Sequence, residues 1–230
     1  MSSAAAITNP PAMPQAVVAK QVTAPKTGET VGSGTTSASN RNASISLDEY
    51  LRRDREEEVR HEFRDGRMVA MADGSRAHSR LKVRLASLLD RRLMGRNCQP
   101  YDGDFRIIIV EAGKGYFPDA SIFCGPPESS DGNNDNGTNP TAIFEVLSDS
   151  TEDYDRGRKF VAYRRIPALQ VYVLISQYEP LVEVYERQSS KDEWLFTAYP
   201  GTDAVVPLRP VELEISVHEL YEGIELSAVS

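Results

Sequence analysis

The apolar residues of the chain follow a helical period in one long segment. The positions that repeat every three or four residues are Leu81, Leu85, Leu88, Leu89 and Leu93. This period places them on one face of a helix, and Gly95 supplies a stop signal just beyond it. We therefore predict a long helix with one face buried in the core.

Shorter segments carry the alternation or the continuous apolar run that is typical of strands. The predicted strands cover residues 105–110, 116–124, 141–147, 169–175, 182–186 and 194–199. The segment 59–71 predicts a further hairpin, because the turn residues Asp65 and Gly66 lie in its middle. The run 169–175 is nearly all apolar, which indicates a central strand covered on both faces.

Three further segments carry helix signals. Ser46 with Glu49, and Ser216 with Glu219, have the spacing of capping boxes. A third helix is predicted over 154–166, ending at Pro167. Strands and helices together predict one α/β (α+β) domain, a mixed β-sheet flanked by helices.

The composition changes sharply near residue 45. In the segment 1–44, Ala, Ser, Thr, Pro and Gly supply 28 of the 44 residues and no aromatic residue occurs. Such a segment buries too little apolar surface to fold, so we predict a disordered tail over 1–44 and a single domain over 45–230. An organelle transit peptide is the alternative for this tail. Within the domain, residues 125–140 are too hydrophilic to pack, and we predict a mobile insertion there.

The net charge of −8 and the pI near 5.0 argue against a protein that coats nucleic acid by bulk charge. The cations are unevenly placed, however. The segment 76–96 holds seven cations against the single acid Asp90, and 156–165 holds five cations and no acid. We therefore predict an acidic shell around a locally basic cleft, although such clusters are often only solvated helix faces.

No stretch approaches the roughly 18 consecutive apolar residues of a membrane span. The two cysteines, Cys98 and Cys124, are too few for a disulfide scaffold, so we interpret them as ordinary thiols of a reducing compartment. These observations predict a cytoplasmic protein with no membrane partner.

Two carboxylates stand in apolar surroundings where a buried strand ordinarily has none. Asp119 lies in the segment 116–124, and Glu145 lies between Phe144 and Val146. Ionised acids in such positions cost several kcal/mol unless they are paired or bind a metal. Each acid taken alone is equally well explained as a strand-end residue or a structural ion pair, but the pair favours a divalent cation such as Mg²⁺.

Two basic residues have the spacing to reach these acids. Lys159 lies fourteen residues after Glu145 and shares a helical face with Asp155 and Tyr163. A plain ion pair with Asp155 is the alternative for Lys159. His78 lies on the inward face of the leucine helix, where a hydrogen-bonded core histidine is the competing interpretation.

The order of the motifs along the chain indicates a known family. They are Phe117-Pro118-Asp119-Ala120, Phe144-Glu145-Val146-Leu147-Ser148 with Ser150-Thr151, and Asp155 through Lys159 to Tyr163. The set resembles the PD-(D/E)XK nuclease superfamily, and more narrowly its Uma-type branch of restriction endonuclease-like proteins. Upstream, His61-Glu62-Phe63-Arg64-Asp65-Gly66 and His78 extend the resemblance, which covers about residues 45–225. The resemblance implies a restriction-endonuclease-like fold.

One position departs from the superfamily pattern. The superfamily carries a lysine two residues after the strand acid, and Leu147 stands there in this chain. Residues two apart in a strand share a face, so Leu147 fills the place of that lysine. In the Uma-type branch the matching lysine lies on the following helix, which implies Lys159.

The resemblance implies an endonuclease that hydrolyses phosphodiester bonds of DNA and depends on Mg²⁺ or Mn²⁺. RNA or another phosphodiester is an alternative substrate, and the oligomeric state is open, although nucleases of this fold often work as homodimers. Asp119, Glu145 and the backbone carbonyl of Val146 are expected to hold the metal, and Lys159 to orient the attacking water or stabilise phosphoryl charge. Glu62 and His78 are further catalytic candidates. The alternative is a catalytically silent relative that binds nucleic acid or protein, which the leucine at position 147 and the acidic pI favour.

Overall fold

The computed structural model describes residues 17–18, 44–71, 74–148, 151–189 and 193–226. The predicted tail 1–44 lies outside these residues apart from Val17–Val18 and Ser44, so its disorder stays a prediction. Ser150 of the motif also lies outside them.

Fourteen strands and five helices form the described part of the chain. The strands are β1 Val17–Val18, β2 His61–Arg64, β3 Arg67–Ala70, β4 Cys98–Asp102, β5 Arg106–Ile109, β6 Lys114–Tyr116, β7 Ala120–Cys124, β8 Asn136–Gly137, β9 Ala142–Leu147, β10 Val171–Ser176, β11 Leu181–Arg187, β12 Trp194–Pro200, β13 Val205–Leu208 and β14 Leu213–Ser216. The helices are α1 Leu47–Asp54, α2 Arg76–Leu93, α3 Glu152–Tyr154, α4 Phe160–Tyr163 and α5 Val217–Tyr221. A π-helical turn, Asp155–Lys159, joins α3 to α4.

The strands form a large mixed sheet and two smaller sheets. The large sheet has the order β1-β12-β11-β10-β9-β7-β4, in which β9 and β10 are parallel and the other neighbours antiparallel. A second sheet has the order β3-β2-β6-β5-β8, and β13 pairs with β14. Every residue of β10 is buried, as its apolar run predicted. The mixed sheet with flanking helices confirms the predicted fold class.

Helices cover both faces of the large sheet. The leucines of α2 pack with Phe144 and Val146 of β9 on one face. Phe160 and Tyr163 of the helical segment 152–163 pack with Leu147 on the other face. The sheet therefore places consecutive residues of β9 in two separate cores, because strand side chains alternate between faces.

Several local predictions are confirmed. Ser46 Oγ accepts the Glu49 N–H at 3.1 Å, and α1 begins there. Ser216 likewise accepts the N–H of Glu219 at the start of α5. The β2–β3 hairpin turns at Asp65 and Gly66, whose φ angles are 50° and 79°. Positive φ at both central positions is the requirement of a type I′ turn.

The predicted strand 116–124 is wrong as one element. β6 ends at Tyr116 and belongs to the second sheet, whereas β7 begins at Ala120 and belongs to the large sheet. Pro118 lies between them and has no N–H to donate to a ladder. Asp119 therefore comes directly before a strand, at the crossing from one sheet to the other.

The prediction that residues 125–140 are too hydrophilic to pack is also wrong. Asn136 and Gly137 form β8, which pairs with β5 in parallel, and Asn136 is buried. Arg55 of the α1 C-terminus binds Asp131 at 2.7 Å and Asp135 at 2.8 Å. The polar side chains of this loop pack because their charges and amides find partners, which composition alone does not reveal.

Cys98 and Cys124 form a disulfide, so the prediction of two ordinary thiols is wrong. The two residues lie directly opposite each other on β4 and β7. No strand was predicted over β4, and this pairing was therefore missed. The two cysteines therefore no longer indicate a reducing compartment, and the cytoplasmic location stays a prediction. Within the described residues, no helix has the length and apolar character needed to cross a membrane.

Candidate active site

A cavity of about 300 Å³ opens between α2, the β2–β3 hairpin, the ends of β7 and β9, and the π-helical turn. All of the residues predicted for the site line this cavity, namely Glu62, His78, Asp119, Glu145, Val146 and Lys159. The structure thus brings together side chains that come from five separate elements of the chain.

Asp119 is held at the cavity by contacts with two other elements. Its Oδ2 accepts the Val146 N–H at 2.7 Å and lies 3.3 Å from His78 Nε2. Its Oδ1 lies 3.1 Å from the Nζ of Lys82. Burial raises the pKa of Asp119, but His78, Lys82 and the Val146 N–H together hold the pKa below its ordinary value. Asp119 is therefore kept as a carboxylate.

Glu145 projects from the buried strand β9 toward the π-helical turn. Its Oε1 accepts hydrogen bonds from Lys159 Nζ at 3.0 Å and from the Tyr163 hydroxyl at 3.1 Å. Burial raises the pKa of Glu145 well above its ordinary value, and although Lys159 opposes this, the nearby carboxylates of Asp155 and Asp119 add to it. A second positive charge at this side chain would therefore be favourable.

Lys159 lies at the centre of three carboxylates. Its Nζ is 3.0 Å from Glu145 Oε1, 3.0 Å from Asp155 Oδ1 and 3.2 Å from Glu62 Oε1. Burial lowers the pKa of Lys159, but the three carboxylates outweigh it and the pKa stays well above its ordinary value. Both the ion pair with Asp155 and the predicted reach toward Glu145 are present. The π-helical turn sets the direction of this side chain, and such turns are frequent at functional sites.

Glu62 connects the hairpin to this cluster. It is buried on β2, and its Oε2 accepts a hydrogen bond from Arg64 Nε at 2.7 Å. The Arg64 guanidinium lies over the ring of Tyr154 at 4.0 Å. Glu62 thus bridges Lys159 and Arg64, each through a different oxygen.

His78 lies in the first turn of α2. Ser75 caps this helix, and its Oγ accepts the His78 N–H at 3.1 Å. The ring faces the cavity and Asp119, so His78 is neither buried in the apolar core nor on the outer surface.

Lys82 is a residue of the site that was treated only as part of a basic run. It lies one helical turn after His78, and both contact the same carboxylate of Asp119. The four-residue spacing from His78 was the available signal, because residues at that spacing share a helix face.

The prediction of a basic cleft is wrong at the cavity itself. Four carboxylates line it beside its cations, namely Glu62, Asp119, Glu145 and Asp155. Part of the basic run on α2 is also neutralised at a distance from the cavity, since Arg84 binds Glu222 and Arg92 binds Glu219. The two basic segments do flank the cavity, as predicted.

The donor set of this cavity suits a hard divalent cation. Mg²⁺ is usually bound by one or two carboxylates, with water and substrate phosphate completing its coordination. Asp119 and Glu145 supply two carboxylates at one cavity. Among the described residues, no group of three or more His, Cys, Asp or Glu side chains is arranged to hold a metal ion. A cation at this cavity would therefore depend on the two carboxylates together with water and substrate oxygens.

Comparisons with known proteins identify the family of this chain. The family described as "Uma2: Putative restriction endonuclease" matches residues 47–218. The uncharacterized protein slr1290 of Synechocystis sp. is 35% identical over 180 residues, which cover 78% of this chain and 93% of that protein. A second uncharacterized Synechocystis protein, sll1609, is 34% identical over 69% of this chain and 89% of its own length.

A solved structure has the same fold. It is the crystal structure of "a putative nuclease belonging to DUF820" from Anabaena variabilis, with a TM-score of 0.63 and 21% sequence identity. The match covers 77% of this chain and 97% of that one. Since the family match spans most of the folded domain, the chain belongs to the Uma2 family.

Proposed function

We propose that this protein is a metal-dependent endonuclease that hydrolyses phosphodiester bonds of DNA. One observation carries the proposal: Asp119, Glu145 and Lys159, from three different elements, line one open cavity. Two carboxylates can hold a metal that polarises a phosphate and lowers the pKa of a bound water, and a lysine beside them can stabilise the charge that develops on the phosphoryl oxygens. The membership of the Uma2 family supports the same reaction class.

Asp119 and Glu145, with the backbone carbonyl of Val146, would hold Mg²⁺ or Mn²⁺. When bound, the metal supplies a Lewis acid for the phosphate and lowers the pKa of a coordinated water. Asp119 is prepared for this role because its neighbours keep it ionised. The Val146 N–H fixes the orientation of the Asp119 carboxylate at 2.7 Å.

Lys159 would orient the attacking water and stabilise charge on the phosphoryl oxygens. The carboxylates around it keep Lys159 protonated, so it offers a positive charge at neutral pH. Glu62 and Asp155 act on the ammonium from two other sides and hold its position. His78 fixes Asp119 from α2, as a positioning residue.

The alternative is a silent relative that binds nucleic acid or protein. Two features favoured it, the acidic pI and Leu147 in the place of the superfamily lysine, and the second is offset because Lys159 lies 3.0 Å from Glu145. The plasmid experiment below distinguishes the enzyme from the silent relative. A homodimer that cuts both strands is the assembly expected for this proposal.

Supercoiled plasmid and a matched RNA transcript, incubated with Mg²⁺, Mn²⁺ or EDTA, test the proposal. We expect nicked or linear plasmid with the divalent metals, none with EDTA, and none with the Asp119→Asn variant. Cleavage that persists in Asp119→Asn would overturn the site, and cleavage of RNA alone would overturn the substrate. An intact plasmid under every metal would favour the silent relative.

A further inference from the structure

Lys82 occupies a different environment from the buried lysine of the site. In the described part of the cavity lining, its side chain is 34% exposed, against 27% for Arg64, 16% for His78 and 5% for Lys159. Lys159 is enclosed by three carboxylates, and Arg64 is paired with Glu62. Lys82 has one carboxylate partner, Asp119, and is the cation of this lining most accessible to solvent.

The Lys82 ammonium lies near Gly103 as well as Asp119. A Cβ built on Gly103 would lie 3.2 Å from Lys82 Nζ and 3.5 Å from the Pro118 carbonyl oxygen. A side chain at position 103 would therefore crowd the ammonium. Lys82 contacts Oδ1 of Asp119 at 3.1 Å, whereas His78 and the Val146 N–H contact the other oxygen, Oδ2.

This arrangement puts Lys82 in competition with a divalent cation. A metal on Asp119 and an ammonium 3.1 Å from the same carboxylate would repel each other. The Lys82 side chain can move away, because it has a long flexible stem and is 34% exposed. A displaced ammonium at the mouth of the cavity could then pair with a phosphate of the substrate.

We propose that Lys82 is an exchangeable cation: it neutralises Asp119 in the metal-free protein, and it contacts a phosphate of the DNA once a divalent metal binds. This inference rests on the proposed function, since it takes Asp119 as a metal ligand and DNA as substrate. It assigns to Lys82 a substrate-binding role that depends on the metal state of the neighbouring carboxylate.

Titration of Mn²⁺ into the full-length protein without DNA tests the first half. Lys82→Gln should bind Mn²⁺ roughly fivefold more tightly than wild type, because a partly exposed ion pair no longer has to be broken. Lys82→Arg should bind like wild type. Lys114→Gln is the matched control. Lys114 Nζ lies 2.7 Å from Asp65 Oδ1, and neither residue lines the cavity, so the Mn²⁺ affinity of this variant should equal that of the wild type.

Plasmid cleavage tests the second half. Lys82→Gln should raise KM for DNA by roughly tenfold with a smaller change in kcat, since a lost phosphate contact weakens binding, and Lys82→Arg should restore KM. Asp119→Asn separates the two proposals. If it abolishes Mn²⁺ binding while Lys82→Gln leaves the affinity unchanged or weaker, the exchange is wrong and the proposed function stands. If Asp119→Asn binds Mn²⁺ like wild type, the proposed metal site itself is wrong.

Discussion

The Nζ atom of Lys159 lies 3.0 Å from Oε1 of Glu145, although the two residues are fourteen positions apart and lie on different elements. Leu147, two residues after Glu145, is buried with Phe160 and Tyr163 beneath the same helical segment. Position 147 of β9 thus contributes to the apolar core, and the π-helical turn that packs on this face contributes the lysine.

Replacing Lys159 with methionine should abolish cleavage and also destabilise the fold. The change leaves the buried Glu145 and Asp155 without Lys159 and leaves Glu62 with Arg64 alone, which costs roughly 3–5 kcal/mol of unfolding free energy. The loss of charge at the cavity should lower kcat at least about 100-fold. Urea unfolding and plasmid cleavage measure the two effects. A variant as stable as wild type would contradict the three-carboxylate arrangement.

Replacing Arg106 with leucine should be far more costly than replacing Arg55. Arg106 and Asp54 form a buried ion pair, and its loss leaves the buried Asp54 with its His61 contacts but without a guanidinium, which costs roughly 3–5 kcal/mol. Arg55 also pairs with an acid, Asp135, but the Arg55 side chain is partly exposed. Removing Arg55 should therefore lower the unfolding free energy by at most about 1 kcal/mol. Equal losses in urea unfolding would contradict this distinction.

Some of the fold follows from local signals and some does not. The Asp65-Gly66 turn and the Ser46 cap have signatures within a few residues, and both were predicted. β4 has no apolar period, and its pairing with β7 depends on a distant segment. The Arg106–Asp54 pair joins residues 52 positions apart and leaves no local trace in the sequence.

The site shows the same division. Asp119 and Glu145 were found from their residue type, because acids are conspicuous in apolar segments. Lys82, which contacts Asp119 at the cavity, was not singled out, because a lysine within a basic helix resembles its solvated neighbours. The charge of the cavity was also misjudged, since the sequence does not reveal which arginines are paired elsewhere.

Reduction of the Cys98–Cys124 disulfide should destabilise the domain. The crosslink joins residues 26 positions apart, and a closed loop of this size contributes about 3 kcal/mol by restricting the unfolded chain. Urea unfolding with and without reductant measures the loss, and Cys98→Ser/Cys124→Ser is the control that reductant should leave unchanged. Two reactive thiols in unreduced, denatured protein would contradict the disulfide.

Removing the Ser75 cap should loosen the helix that presents His78. Ser75→Ala deletes the acceptor of the His78 N–H and should cost about 1 kcal/mol. Ser46→Ala, which removes a similar cap from α1, is the matched control for stability. Both should lower the midpoint of thermal unfolding, but only Ser75→Ala should also weaken Mn²⁺ binding. Equal Mn²⁺ affinity in the two variants would contradict a positioning role for α2.

In the proposed function, Asp119 and Glu145 together hold a divalent cation. Anomalous diffraction from crystals grown with Mn²⁺ tests it most directly. We expect one strong Mn²⁺ peak within about 2.0–2.6 Å of an oxygen of each carboxylate, and no such peak in crystals of Asp119→Asn. A wild-type crystal with no Mn²⁺ at this cavity, or with Mn²⁺ bound only elsewhere, would contradict the account.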